Sequence, residues 1–341
     1  MTALRIGIIG AGANTKSRHI PGFQEIEGVE VVAVANRTLV SAQKAADEFG
    51  IPGVFEDWRE LVQSDGVDAV CVGTWPYKHC PITLESLKAG KHILTEARMA
   101  MNLSEARQML AASQQSDRVS MIVPAPMFLE TESVLLAMVA DGYFGDLLEI
   151  HVNALSGGYN PEAPLHWRQR RDLSGNNIMG MGIYNETVRR YAGHEKALSA
   201  HATSFSTQRT DPESNQRLPA DVPESLGIVA QMESGATAVY HISSVARMGE
   251  GGIEMHGTRG AFKLGAGGAW VAGDGDAEYR KLEVPLDKQG GWRVEADFVD
   301  AIRDGKPVTH TSFEDGVRYM EFTEAVNISL AQGRRVELPL G

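Results

Sequence analysis

The apolar run from Leu4 to Ile9 breaks into Gly10-Ala11-Gly12, passes through a helix-like stretch, and is followed by a second apolar run from Val29 to Ala35. Strand, glycine turn, helix and strand in that order describe a dinucleotide-binding unit, and few other folds accept it. Gly10 permits the tight turn and Gly12 removes a Cβ that would block a pyrophosphate. The N–H groups of the helix terminus at Ala13, Asn14 and Thr15 then point at the phosphates. The usual fingerprint puts a third glycine where Thr15 stands. In a chain with 36 glycines the first two alone decide little; the flanking strands, at the spacing a βαβ unit needs, carry the assignment.

The second strand ends in Ala35-Asn36-Arg37-Thr38. An acidic residue here would accept hydrogen bonds from the ribose of NAD and repel a 2′-phosphate. Asn36 has no such charge, Arg37 offers a planar guanidinium and Thr38 a hydroxyl, so NADP is expected and NAD remains possible.

The chain has 341 residues, 43% of them hydrophobic and 22% charged, which suits a two-domain globular protein. A net charge of −12 leaves no basic stripe for a nucleic acid. Cys71 and Cys80 form no metal-binding pattern, and no His or carboxylate cluster stands at ligand spacing, so no metal is expected. No apolar run approaches the roughly 18 residues a membrane span requires, and the first residues enter a strand without the segments of a signal peptide. A cytoplasmic enzyme with no membrane partner is the expectation.

Alternation of strands and helices continues to about residue 123. Helices are expected over Ser41–Phe49, Trp58–Gln63 and Lys78–Ala89, and another with Ser104 as its N-cap; strands are expected over Ala69–Val72, His92–Thr95 and Ser120–Val123. The loop Gly73-Thr74-Trp75-Pro76 follows a strand's C-terminal end, where open α/β sheets hold ligands. Beyond Pro124 the texture changes. A helix over Glu130–Asp141 precedes strand-like pieces at Leu147–Ala154, Ala197–Phe205, Gly227–Met232, Thr237–Ser243, Gly252–His256 and Gly260–Leu264, which suggest one large antiparallel sheet. Gln208–Pro223 and Gly265–Ala277 read as loops, Phe313–Gln332 as a helix and Arg335–Leu338 as a strand. The expected fold is an α/β Rossmann domain over residues 1–123 and an α+β domain with a large open, mainly antiparallel sheet over 124–341.

Several scattered segments carry a resemblance: Gly7-Ile8-Ile9-Gly10-Ala11-Gly12, Arg18-His19-Ile20-Pro21, Val67-Asp68-Ala69-Val70 with Thr74 and His79, and Ala89-Gly90-Lys91-His92-Ile93-Leu94-Thr95-Glu96. Gly257-Thr258-Arg259-Gly260, Gly316 and Gly333-Arg334-Arg335-Val336 extend it. Over nearly its whole length the chain resembles the glucose-fructose oxidoreductase, inositol dehydrogenase and rhizopine catabolism (Gfo/Idh/MocA) family. The resemblance implies a nicotinamide-dependent oxidoreductase acting on a sugar, cyclitol or related polyol, with the open sheet used in a homodimer or homotetramer. It implies cofactor contacts from Gly10 to Thr15, at Asn36, Arg37 and Thr38, at Thr74, Trp75 and His79, and at Glu96.

Two family motifs are altered. Members usually read Glu-Lys-Pro where this chain has Glu96-Ala97-Arg98; Ala97 cannot do the lysine's work, and Arg98 brings a cation that cannot donate a proton near neutrality. Family Asp, His and Asp positions fall on Gly180, Tyr184 and Thr187. Some relatives also carry tyrosine at the histidine position, which makes Tyr184 the catalytic candidate with Arg98 beside it. A phenol serves as a base only if a cation stabilises phenolate. Substrate contacts are expected from His79, His166, Trp167, Arg168, Asn177 and Asn185. The missing lysine keeps two other readings in view: a redox-cycling glycoside hydrolase or lyase that retains NAD(P), and a weakly catalytic cofactor-binding protein.

Overall fold

The computed structural model describes residues 3–341. Contacts divide the chain into two units: residues up to Pro124 with Arg293–Met320, and Ala125–Trp292 with Glu321–Gly341. Sequence order suggests two contiguous domains; by contacts Arg293–Met320 groups with the first unit.

The first unit is built on six strands, β1 (Leu4–Ile9), β2 (Val29–Ala35), β3 (Gly53–Phe55), β4 (Ala69–Val72), β5 (His92–Thr95) and β6 (Ser120–Ile122). All pair in parallel in the order β3-β2-β1-β4-β5-β6, the doubly wound order of two mononucleotide-binding halves. Ile6, Ile8, Val34, Val70, Val72, Ile93 and Leu94 are buried in it, as expected of strands covered on both faces. The helices are α1 (Ile20–Gln24), α2 (Leu39–Phe49), α3 (Trp58–Gln63), α4 (His79–Lys88) and α5 (Leu103–Gln114). A π-helical turn, Thr15–His19, leads into α1. The N-cap of α5 is Asn102, whose side chain accepts from the Glu105 N–H at 2.9 Å, rather than the expected Ser104. Asn102 takes the extended conformation a cap requires, while Ser104 lies inside the first turn.

In the second unit β7 (Leu147–Leu155), β8 (Glu195–Thr203), β11 (Ser225–Met232), β12 (Thr237–Ser243), β13 (Gly252–Gly257), β14 (Ala261–Gly265), β15 (Gly268–Ala272), β16 (Arg280–Lys281) and β17 (Val336–Glu337) make one sheet. Its order is β16-β15-β14-β13-β7-β12-β11-β8-β17. Only β7 and β12 run parallel. Strict alternation along β11 buries Leu226, Ile228, Ala230 and Met232 and turns the residues between them outward. The helices are α6 (Glu132–Ala140), α7 (Arg171–Ser174) and α8 (Met181–Ala192). Met181, Val188 and Tyr191 of α8 join the core with the buried face of the sheet.

Two stretches expected to be loops contain strands. The first holds a small hairpin of β9 (Gln208–Thr210) and β10 (Arg217–Pro219), and the second holds β15. These strands are polar or glycine-diluted, so their alternation is too short to read. Two C-terminal helices complete the list, α9 (Val294–Asp304) and α10 (Phe313–Gln332). The sequence reading gave no element at α9. It buries Val294, Phe298, Val299 and Ala301, and Phe298 meets Phe23 edge to face with ring centroids 6.3 Å apart. No helix among the described residues is long and apolar enough to cross a membrane.

Candidate active site

The glycine turn is fixed from three sides. Gly10 has φ +91°, and a Cβ there would lie 2.6 Å from the Thr74 nitrogen, so backbone at the ends of β1 and β4 approaches too closely for any side chain. The Gly10 N–H donates to the Ala35 carbonyl at 2.9 Å. Asn36 accepts from the Ala11 N–H at 2.7 Å and donates to the Ser41 carbonyl at 2.9 Å, so this residue braces the turn. Above Gly12 the space is open: a Cβ would meet nothing nearer than the Gly73 oxygen at 3.5 Å, and Gly12 and Ala13 are exposed. That open floor beside the positive end of a helix fits a pyrophosphate.

Thr15, the departure from the fingerprint, is buried and donates its hydroxyl to the Gly10 carbonyl at 3.1 Å. A Cβ on Gly73 would lie 2.0 Å from this hydroxyl oxygen. The close helix-to-strand approach that a third glycine normally provides is thus provided from the opposite side, by Gly73 after β4.

At the end of β2 the Arg37 guanidinium lies over the Trp75 ring, 5.5 Å from a ring centroid, and Arg37 is exposed. Thr38 caps α2 by accepting from the Ser41 N–H at 3.2 Å. These two residues and Trp75 offer a cation, a hydroxyl and an aromatic face on one rim of the unit.

His79 is enclosed, with Nδ1 2.9 Å from the Arg98 carbonyl and Nε2 2.9 Å from the Thr74 carbonyl. Burial lowers its pKa and the two carbonyls oppose that shift. It pins the loop after β4 to the loop after β5. Arg98 is also enclosed, and the Ala97–Arg98 peptide is cis.

Glu96 sits at the end of β5 in a cluster that sequence reasoning did not assemble. Its carboxylate accepts from the Asn14 amide and lies 3.1 Å from His19 Nε2, while His19 Nδ1 hydrogen-bonds to Glu295 of α9. The His19 side chain is wholly buried. Burial alone would lower its pKa, but the hydrogen bonds it donates to Glu295 and Glu96 outweigh this and raise it to about 9. Burial pushes Glu96 up, yet His19 and Asn14 hold it below the ordinary carboxylate value. The π-helical turn aims His19 inward; such turns are frequent at functional sites. The Arg18-His19-Ile20-Pro21 motif marks this residue in sequence, whereas Glu295 looks there like one more acid on an amphipathic helix.

In the second unit Tyr184 lies on α8, whose N-cap is Gly180. The preceding residue, Met179, has φ +48°, a strained left-handed conformation for a side-chain-bearing residue. A Cβ at Gly180 would touch the Tyr184 ring at 3.4 Å, so the glycine leaves the ring's flank open. Tyr184 is half-buried, and burial raises its phenol pKa. This moves the phenol away from the phenolate that action as a base requires.

Among the expected substrate contacts, His166 is exposed and caps the short turn Trp167–Gln169, its Nδ1 accepting from the Arg168 N–H at 3.2 Å. The Arg168 guanidinium stands 4.3 Å from the Trp167 ring centroid, and both residues reach solvent. Asn177 and Asn185 are enclosed. Asn177 donates to the Ser174 carbonyl at 2.6 Å. Asn185 donates to Glu195 at 2.5 Å, and Glu195 also accepts from the Tyr240 hydroxyl at 3.0 Å. Burial raises the Glu195 pKa to about 7, against those hydrogen bonds. Among the described residues no group of three His, Cys, Asp or Glu is arranged to hold a metal ion.

Family models match both units. One described as "Oxidoreductase family, NAD-binding Rossmann fold" covers residues 4–123, and the "GFO/IDH/MocA C-terminal domain" covers residues 134–263. The chain is 26% identical to the 1,5-anhydro-D-fructose reductase of Ensifer adhaerens, with 99% of each chain covered. An oxidoreductase domain protein from Kribbella flavida superposes with TM-score 0.88 at 24% identity, covering all of both chains. A levoglucosan dehydrogenase in complex with NADH and levoglucosan superposes with TM-score 0.87 at 23% identity, covering 99% of this chain and all of the other. The chain belongs to the GFO/IDH/MocA family of oxidoreductases, and its first unit is that family's NAD-binding Rossmann domain.

Proposed function

We propose that the protein reduces a carbonyl group on a sugar or polyol derivative, taking hydride from NADPH in preference to NADH, with Tyr184 supplying the proton. The observation that carries this reading is the placement of Tyr184 on α8, half-buried and with its ring flank left open by Gly180; its phenol is neutral near pH 7 and so has a proton to give. The turn from Gly10 to Thr15, with Arg37 and Thr38, would hold the dinucleotide, which would supply hydride for the carbonyl carbon. Tyr184 gives its hydroxyl proton to the oxygen that becomes the alcohol and regains one from solvent afterwards. Partly exposed Trp167 and exposed Arg168 present a ring for the apolar face of a sugar and donors for its hydroxyls. Similarity to a 1,5-anhydro-D-fructose reductase over 99% of both chains supports the substrate class. Arg37 and Thr38, with no acid at the end of β2, support NADPH. Replacing Tyr184 by Phe should lower kcat for reduction of 1,5-anhydro-D-fructose, or of the best ketose or lactone from a panel, by about 10²–10⁴-fold. NADPH affinity should stay unchanged. Unaltered turnover in Y184F overturns the proton role.

The same reading includes a homo-oligomer formed through the outward face of the nine-stranded sheet. Support comes from Val229 and Val239, exposed cross-strand neighbours on β11 and β12. A monomer mass by light scattering at micromolar concentration rejects it.

A further inference from the structure

The cluster of His19, Glu96 and Glu295 takes no part in the proton step. It stands at the carboxyl end of β5, in the second mononucleotide half of the sheet, where a doubly wound domain receives the nicotinamide end of its cofactor. Two carboxylates and one imidazole that share a single added proton hold one negative charge, whichever atom carries the proton. Oxidised nicotinamide is a cation and reduced nicotinamide is neutral, so a fixed negative charge beside it separates the two by Coulomb energy.

We propose that His19 and Glu295 form a positioning device for Glu96. By bridging the two carboxylates, His19 gives the end of β5 a single fixed negative charge that favours oxidised over reduced nicotinamide and so favours hydride donation. This rests on the reading that Glu96 lies beside the nicotinamide. The groups around His19 include Glu96 from the end of β5, Glu295 from α9 and Asn14 from its own turn. Near Glu96, His79 on α4 is held below the ordinary histidine range and Cys71 on β4 well above the ordinary thiol range, both chiefly by burial. The shift of Cys71 takes its thiol further from this pH range, that of His79 disfavours the imidazolium, and the Arg98 guanidinium does not titrate there.

The test measures dissociation constants by titration calorimetry for oxidised and reduced cofactor, using whichever of NADP(H) or NAD(H) binds the wild type more tightly. In the wild type, the ratio of the two constants should be flat from pH 6 to pH 8. In E295Q at pH 6, where an imidazole beside one carboxylate still holds its proton, the preference for the oxidised form should fall on the order of tenfold. E295D, which keeps the charge, should restore it. If E295Q does not fold, H19Q reads the same device. Its two carboxylates would share a proton at pH 6 and release it toward pH 8, so the preference for the oxidised form would rise with pH. A ratio in E295Q and H19Q equal to the wild type's at every pH, or equal weakening of both forms, overturns the proposal. E96Q separates the two failures. If it changes cofactor affinity while E295Q and H19Q leave the ratio untouched, only this proposal falls. If E96Q binds both forms like the wild type, or the wild type binds neither, the placement of the nicotinamide beside Glu96 falls with it.

Discussion

Thr15 and Gly73 share one volume, and this makes their substitutions interdependent. A Cβ added at Gly73 would sit 2.0 Å from the Thr15 hydroxyl and 2.4 Å from the Gly10 carbonyl, where ordinary contact begins near 3.4 Å. Thr15 is buried and the Gly10 carbonyl is backbone, so Gly73→Ala forces backbone movement and should destabilise the first unit by about 3 kcal/mol. For a unit of this size that lowers its melting temperature by about 6–12 °C. Thr15→Ala alone loses one hydrogen bond, worth about 1 kcal/mol. In the T15A background the 2.0 Å contact is gone, while the Gly10 carbonyl at 2.4 Å and the Cβ of residue 15 at 3.2 Å remain. G73A should then cost about 1–2 kcal/mol less than in the wild type. Differential scanning fluorimetry of the wild type, both single variants and the double variant measures this coupling. Additivity within about 0.5 kcal/mol would refute the claim that Gly73 has taken over the missing third glycine's role.

Two further outcomes are expected. Arg37→Ala should weaken NADPH binding by about 10–100-fold through loss of a charge-assisted contact to the 2′-phosphate, and change NADH binding far less. Equal effects on both cofactors in a fluorescence titration would reject NADP selection by this residue. Glu195 has a folded pKa of about 7, raised above its unfolded value. Its contribution is therefore fully present below the unfolded pKa and lost as pH rises through about 7. Glu195→Gln keeps partners for Tyr240 and Asn185 without the charge. The variant should melt a few degrees above the wild type at pH 8 and near it at pH 5, and a gap that does not change with pH contradicts the burial argument.

What the sequence shows of this protein follows the range over which side chains act. The strands flanking Gly10 and the helix Phe313–Gln332 are written in patterns a few residues long, and they stand where those patterns put them. The hairpin around Arg209 shows no such pattern. It is held by an enclosed guanidinium that pairs with Glu224 at 2.7 Å and donates to the Asn160 and Ala163 carbonyls, contacts that span 15 to 49 residues. Asn36, expected among the cofactor contacts, accepts from the Ala11 N–H, a bracing role that adjacency in sequence does not show. Asn185 lies next to Tyr184 in sequence and points instead to the core, because neighbours on a helix face about 100° apart. His19 and Glu295 are 276 residues apart, beyond any local signal.

That separation also sets an order of assembly. The first six strands leave the ribosome early, but the carboxylate that meets His19 belongs to a helix made only after the whole second sheet up to β16 has been synthesised. At typical elongation rates the imidazole waits about 14–55 s for its second partner. A fragment ending at residue 124 would keep the glycine turn and Glu96 but lack Glu295, and would therefore be a cofactor domain with its electrostatic floor unfinished.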